Sequence, residues 1–481
     1  MGLPDKAVEE SRDRMASALK NSGLESPKSK NQKVIVSLSP ADLKKEGAYF
    51  DLAMALGYLL SDEIIAFDPE KKIFIGELSL NGELRSVKGV LPLVEEAKRK
   101  GFTEIFVPFE NAKEAGLVKG ISIYAVKTLR EIVDHLNTKK KEGEDIAQLS
   151  PIEETQIERK EQTFDIDWSD IKGQESAKRG LEIAAAGGHN IAMSGPPGTG
   201  KTMLAKAFSS VLPDLTQQEI LEITGIHSVA GALQDDLIVH PPFRSPHHTS
   251  SYVSMIGGGT FPRPGEVTLA HKGVLFLDEF PEFEKRVIES LRQPLEDRIV
   301  TVSRAKATIA FPSHFILVCA MNPCPCGYNG SEKKQCICTA SDLSRYSRKV
   351  SGPIMDRIDM WTTVGALEYE TLSESGPSGD SSRQVKERIK KARDIQKKRF
   401  KDSPKQSTTN SQMNVKDIAK YCPLKNDVTE ILNRSAEKLN LSARAYHRVI
   451  KLARTIADLN DSQDIEMQHI LEALQYRPKN S

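Results

Sequence analysis

Apolar positions in 1–136 follow two periods. KVIVSL (33–38) and KIFIGELSL (72–80) are compact apolar runs and predict strands. FDLAMALGYLL (50–60) and VLPLVEEAKRKG (90–101) space their apolar residues three and four apart and predict helices. Asn81-Gly82, between ELSL and ELRSV, predicts a hairpin turn, because both residues tolerate the positive φ of a tight turn. Over 137–163 the pattern dissolves into polar residues, the composition of a linker. It returns in 164–365, where short apolar runs alternate with helical segments. RIVTVSRAKATIAFPSHF (298–315) alternates apolar and polar residues on both sides of SRAK and predicts a hairpin. A second polar connector (366–384) precedes 385–481, where VKERIKKARDIQKKRF, VTEILNRSAEKL and AYHRVIKLARTIADL have helical periodicity. No internal repeat is visible.

Chemistry concentrates in the middle segment. The apolar run NIAMS leads into GPPGTGKT (Gly195, Pro196, Pro197, Gly198, Thr199, Gly200, Lys201, Thr202), and the helical TMLAKAFSSVL follows. This strand–loop–helix setting is what a phosphate-cradling P-loop requires. Glycines let backbone N–H groups close around the phosphates, Lys201 reaches the β/γ-phosphates, and the Thr202 hydroxyl faces Mg²⁺. VLFLDE (274–279) is an apolar strand ending in two acids: Asp278 suits the metal shell, and Glu279 can polarise a water. Together they predict binding and hydrolysis of a nucleoside triphosphate, with ATP and Mg²⁺ as the expected ligands.

Length and charge narrow the setting. A chain of 481 residues suggests about three domains. Net charge is +1, so no global field announces a nucleic-acid partner, and any basic surface is local. VLFL and FILVCAM are far shorter than a membrane span, and MGLPDKAVEE carries no signal-peptide apolar region. The expectation is a cytoplasmic chain that does not enter a membrane. Four of the six cysteines form a C-x-C…C-x-C pattern: Cys324, Cys326, Cys336 and Cys338. Four thiolates can close a tetrahedral structural zinc site, although the half-spacing is tighter than the common one; inert clustered thiols are the alternative. Four sulfur ligands would leave no open position for catalysis.

The strings WSDIKGQESAKRGLEIAAAGGHNIAMSGPPGTGKTMLA, PFRSPHHTSS, GGGTFPRPGEVTLAHKGVLFLDEFPEF and NPCPCG together resemble the ComM/YifB family, AAA+ ATPases related to the magnesium chelatase I subunit. The resemblance runs from GLPDKAVEESRDR to LARTIADL. It implies an α/β AAA+ P-loop NTPase core (164–365) with a helical lid (385–481), preceded by a Lon-protease-like α+β domain (1–136). Family members carry a few tens of residues, with strands, before the GLP motif. That implies either a start upstream of this one or an N-terminal sheet lacking part of its strands.

The resemblance also implies roles. Asn322, in CAMNP, matches the sensor-1 position beside the attacking water. Arg357, in SGPIMDRID, matches an arginine finger entering a neighbouring subunit's site, and Arg444 matches sensor 2 on the lid; a surface salt bridge is the alternative for each. A finger acting in trans implies a ring, and hexamers are the family's usual state. The interval 212–272 corresponds to a helix-2 insert, with Ile256-Gly257-Gly258-Gly259-Thr260 as a flexible tip and Arg263 near it. His247 and His248 are adjacent on a turn, where convergence on one ion is difficult, so hydrogen bonding is the expected role. Arg304 and Lys306 stand at the turn of the 298–315 hairpin, which touches DNA in related rings; an ordinary exposed turn is the alternative.

KKEGAYFDLAMALG and GELSLNGELRSVKGVLPLVEEAKRKG resemble Lon-protease segments, but Tyr49 and Leu91 stand where the serine and lysine of the dyad would fall. Neither side chain supplies that chemistry. The expected function is an ATP-driven hexameric DNA motor, similar to the family's branch-migration helicase of natural transformation. A chelatase-type remodelling ATPase, acting on a protein partner or in metal insertion, is the alternative.

Overall fold

A computed structural model describes residues 3–4, 6–39, 44–45, 47–139, 148–157, 164–233, 237–259, 262–304, 307–331, 334–368, 370, 376, 379–401 and 408–478. The chain divides into two compact units, Met1–Arg159 with Gln217–Ile238, and Lys160–Thr216 with Val239–Ser481.

In the first unit a parallel sheet orders Lys72–Phe74, Glu104–Pro108 and Ser122–Val126 side by side. Helices Asp51–Ser61, Val90–Arg99 and Leu129–Leu136 bury their apolar faces in its two clusters. KIFIGELSL is not one strand: the parallel pairing covers Lys72–Phe74, and Glu77–Leu78 pairs instead with Leu84–Arg85 around Asn81-Gly82. Gly82, at φ 88°, takes the conformation expected of that turn. Helix Lys6–Asn21 was not legible as a separate element, and it is fixed by buried Asp51, which accepts from Arg14 Nε at 2.8 Å and Leu78 N at 3.2 Å.

Three expectations change here. KVIVSL is not assigned as a strand, and Val34 and Ile35 are exposed. The described end of the 137–163 stretch is anchored rather than free. Ile152 N donates to Ile123 O at 2.8 Å, and Ile152 and Ile157 pack against the cluster around Val94. Gln217–Ile238, read as part of the ATPase insert, belongs to this unit. Its helix Gln217–Ala230 lies along Val90–Arg99, Gly89 N donates to Ser228 Oγ at 2.8 Å, and Leu221 and Leu237 join the same apolar cluster.

The second unit is built on a five-stranded parallel sheet in the order Met360–Thr363, Ile191–Ser194, Ile316–Met321, Val274–Leu277, Phe243–Arg244. Ile316–Met321 and Val274–Leu277 are buried along their whole length, as strands covered on both faces must be. The expected hairpin forms from Ile299–Arg304 and Ala307–Pro312. Ser382–Arg399, Asn426–Lys438 and Ala443–Leu459 are helices, and Val385, Ile389, Val449 and Ile456 share one core with Ile191 and Val318 of the sheet.

Polar groups stitch the sheet to the C-terminal helices. Asn190 N donates to Asp359 Oδ2 at 3.0 Å, Arg448 Nε lies 3.3 Å from Asp359 Oδ1, and His189 Nε2 lies 2.8 Å from Thr455 Oγ1. Burial holds the His189 imidazole below its ordinary pKa, against the opposing pull of Asp359. Burial, reinforced by the Arg298 charge, pushes His314 well below. The unfolded chain therefore binds more protons than the native one below about pH 6.5, so stability falls as pH drops through that value. Each histidine contributes a slope of up to about 1.4 kcal/mol per pH unit. Thermal denaturation between pH 7.5 and 5.5 is expected to show this loss, and a His314→Gln variant a shallower one.

Candidate active site

The buried strand Ile191–Ser194 ends at the P-loop, and helix Lys201–Ser210 begins immediately after it. Gly200, at φ 85°, turns the chain into that helix, and a Cβ on Gly195 would lie 2.1 Å from Val364 O, so only glycine fits there. Lys201 is largely buried and folds back over the loop. Its Nζ donates to Gly195 O at 2.7 Å, Pro196 O at 2.8 Å and Asn322 Oδ1 at 3.3 Å. Burial lowers its pKa and Asp278 opposes that shift. An ammonium held this way by carbonyls is a cation waiting for a stronger anion, which a phosphate supplies.

Opposite the loop, Val274–Leu277 delivers two acids. Thr202 Oγ1 donates to Asp278 Oδ2 at 2.8 Å, so the hydroxyl and carboxylate that suit a Mg²⁺ shell are already side by side. Glu279 sits at φ 50°, a left-handed conformation that is strained for a non-glycine residue. Glu279 Oε2 lies 3.1 Å from His248 Nδ1. His247 Nδ1 is 2.9 Å from Thr249 Oγ1, so both histidines serve hydrogen bonds, as expected. The partner of His248 was not legible, although the string PHH so close to the acidic strand was its available signal. Pro197, Gly198, Thr199, Gly200, Lys201, Thr202, His248, Asp278, Glu279 and Asn322 line one cavity of about 700 Å³. The sequence-predicted nucleotide set thus converges, and it fits ATP with Mg²⁺: a nest of backbone N–H groups, one lysine, and a hydroxyl–carboxylate pair.

Arg357 and Arg444 stand elsewhere. Arg357 Nη1 donates to Pro353 O at 2.8 Å, and its other end pairs with Glu296. Arg444 Nη2 reaches Glu296 Oε1 at 3.1 Å. Neither lines the cavity of its own chain. Glu296, which sequence reasoning did not single out, therefore gathers both arginines, and the Arg357 hydrogen bond holds its carboxyl below the usual range.

The remaining candidates divide. Gly257–Gly258 pairs antiparallel with Arg263–Pro264, so two of the three glycines of the expected flexible tip form a hairpin strand. A Cβ on Gly257 would meet Arg263 O at 2.2 Å, which explains glycine there. Arg263 is exposed; Thr260 lies outside the described residues. Arg304 ends its strand opposite Ala307, and Lys306 lies outside the described residues.

The four cysteines do converge. The sulfurs of Cys324, Cys326, Cys336 and Cys338 all lie within 4.8 Å of one another, and none is in a disulfide. Separations of 3.3, 3.5 and 3.7 Å among the first three are close to the ~3.8 Å edge of a tetrahedron with ~2.3 Å metal–sulfur bonds. Backbone hydrogen bonds from Tyr328 and Ile337 bring the Cys326 thiol down to about 6, which favours the thiolate a metal requires. This donor set fits zinc. Among the described residues no helix is long and apolar enough to cross a membrane.

Comparison with known proteins places these features in a family. The family model described as magnesium chelatase, subunit ChlI, matches residues 167–372; models of subunit ChlI of Mg-chelatase and of its C-terminal part match 1–111 and 379–477. The competence protein ComM of Haemophilus influenzae is 42% identical over 99% of this chain and 91% of its own length. The YifB protein of Escherichia coli is 41% identical over 99% of this chain and 90% of its own. Lon protease 2 of Bacillus subtilis is 34% identical over 99 residues, 20% of this chain and 18% of its own. With its P-loop, acidic strand and parallel sheet in place, the chain belongs to the ComM/YifB family of magnesium-chelatase-like AAA+ ATPases.

Proposed function

We propose that this chain is the subunit of a cytoplasmic, hexameric, ATP-hydrolysing motor that acts on single-stranded or branched DNA. The observation that carries the reading is the division of the catalytic set. Lys201, Thr202, Asp278, Glu279 and Asn322 line one cavity, whereas Arg357 and Arg444 share Glu296 outside it. A cavity that Arg357 does not line, with Arg357 held away on Glu296, supports a ring in which each subunit supplies that arginine to its neighbour's site.

In that ring the P-loop N–H groups and Lys201 bind the β/γ-phosphates of ATP, and Thr202 with Asp278 holds Mg²⁺. The metal supplies charge neutralisation between the phosphates. Glu279 accepts the proton of the attacking water, and Asn322 orients that water. Arg357 leaves Glu296 for the charge that develops on the neighbour's transferred phosphoryl group, and Arg444 serves as sensor 2 on the lid. Cys324, Cys326, Cys336 and Cys338 hold zinc as a structural ion. The N-terminal unit is read as a Lon-protease-like domain used for assembly or substrate contact: Leu91 is fully buried and Tyr49 packs on the same cluster, so both replace chemistry with packing. The partial similarity to Lon protease 2 supports this.

DNA contact is assigned to Arg304 and Lys306, repeated in every subunit, with Arg263 as a further contact. Because net charge is only +1, affinity must come from that repeated belt. The Arg304→Ala/Lys306→Ala variant is expected to keep basal ATPase activity and to lose DNA stimulation and strand displacement together. Salt titration is expected to weaken the parent steeply and the variant much less. Normal binding and unwinding of branched DNA by the variant would overturn the assignment. The chelatase description of the matched family models favours a second reading, remodelling of a protein partner or metal insertion. ATPase activity indifferent to single-stranded and branched DNA would select it.

A further inference from the structure

Cys324, one of the four clustered thiols, lines a cavity shared with Lys201, Asp278, Glu279 and Asn322. We infer that the cysteine loop 324–338 is a positioning device for the ATP site, so that a thiolate-bound cation of the zinc class sets the affinity for ATP as well as the fold of the loop. This rests on the zinc reading above.

Both ends of the loop are fastened to Asn322. At its start, Pro323 alone separates Asn322 from the fully buried Cys324, and a proline ring fixes its own φ, so a displacement of the sulfur is passed to the asparagine. At its end, helix Ala340–Ser347 starts two residues after Cys338, and Tyr346 on that helix donates its hydroxyl to Asn322 O at 3.0 Å. Asn322 in turn faces Lys201 Nζ at 3.3 Å. Cys324, Asn322 and Tyr346 line a cavity of about 240 Å³ together with Lys201, Asp278 and Glu279.

The middle of the loop touches the P-loop itself. Gly327 has φ 85°, and a Cβ built on it would lie 2.6 Å from Pro197 Cδ. A loop this close to Pro197 supports the phosphate cradle only while its own shape is fixed. Asn329 N donates to Cys324 Sγ at 3.3 Å, and backbone groups of Tyr328 and Ile337 reach Cys326, but these contacts lie within the loop itself, and a cation shared by all four sulfurs is what ties its two halves together. Losing the cation frees the loop, and with it both Asn322 and the support under Pro197.

The test uses the full-length protein and reads binding rather than turnover. Elemental analysis first establishes about one zinc per chain. A fluorescent ATP analogue is then titrated into zinc-loaded protein and into protein stripped by a zinc-selective chelator with Mg²⁺ in excess; circular dichroism confirms that both are folded. The stripped protein is expected to bind the analogue about tenfold or more weakly, the scale of losing a support behind a functional ligand, and added zinc to restore binding. Gly327→Ala is expected to retain its zinc and still bind the analogue more weakly, because the methyl group meets Pro197. Cys336→Ser is expected to lose both metal and affinity. Parental analogue affinity in folded, metal-free protein overturns the inference, as does parental affinity in Gly327→Ala. Metal-free parent protein overturns the zinc reading instead.

Discussion

Glu279→Gln is expected to bind ATP as the parent does and to hydrolyse it about two to four orders of magnitude more slowly. The substitution preserves shape and leaves an amide oxygen for His248, 3.1 Å from the present carboxylate. It removes the basic oxygen that would take the water's proton. The P-loop, Lys201 and the Thr202–Asp278 pair are untouched, so the phosphates are still held. Lys201→Ala is expected to do the reverse and weaken nucleotide binding itself. Equilibrium binding of a labelled nucleotide and steady-state phosphate release separate the two effects. Parental turnover in Glu279→Gln would remove Glu279 from the role of base.

Arg357→Ala is expected to abolish turnover in a uniform ring while leaving nucleotide affinity nearly unchanged. Within one chain the substitution removes a contact to Glu296 and one to Pro353 O, and Arg444 remains on Glu296, so the fold survives. Mixed rings supply the decisive measurement. Arg357→Ala subunits combined with Glu279→Gln subunits are expected to regain activity wherever an intact arginine faces an intact glutamate. No recovery at any ratio, with mixed rings shown to form, would count against action in trans.

The nucleotide-binding half of the site was legible because its geometry is local. In GPPGTGKT the glycines and the lysine are set within eight residues, and the strand before and helix after are read from the same short stretch. The acidic strand and the 298–315 hairpin were legible for the same reason. KVIVSL reads as a strand from its apolar run but is not assigned as one, because local composition does not determine whether a run is buried, and Val34 and Ile35 are exposed.

The sequence by itself determined which chemical groups the protein owns and the local backbone that presents them: the phosphate loop, Asp278 and Glu279 at a strand end, and paired thiols two residues apart. Only the tertiary structure decided which distant groups meet. It placed His248 on Glu279, gathered Arg357 and Arg444 onto Glu296, brought Gly327 against Pro197, and gave helix Gln217–Ala230 to the N-terminal unit's core. The physical reason is range. Turn and strand preferences act over a few residues, whereas ion pairs and packing contacts select partners by distance in space, and residues 31 to 148 positions apart become neighbours only after the sheet and its helices have closed.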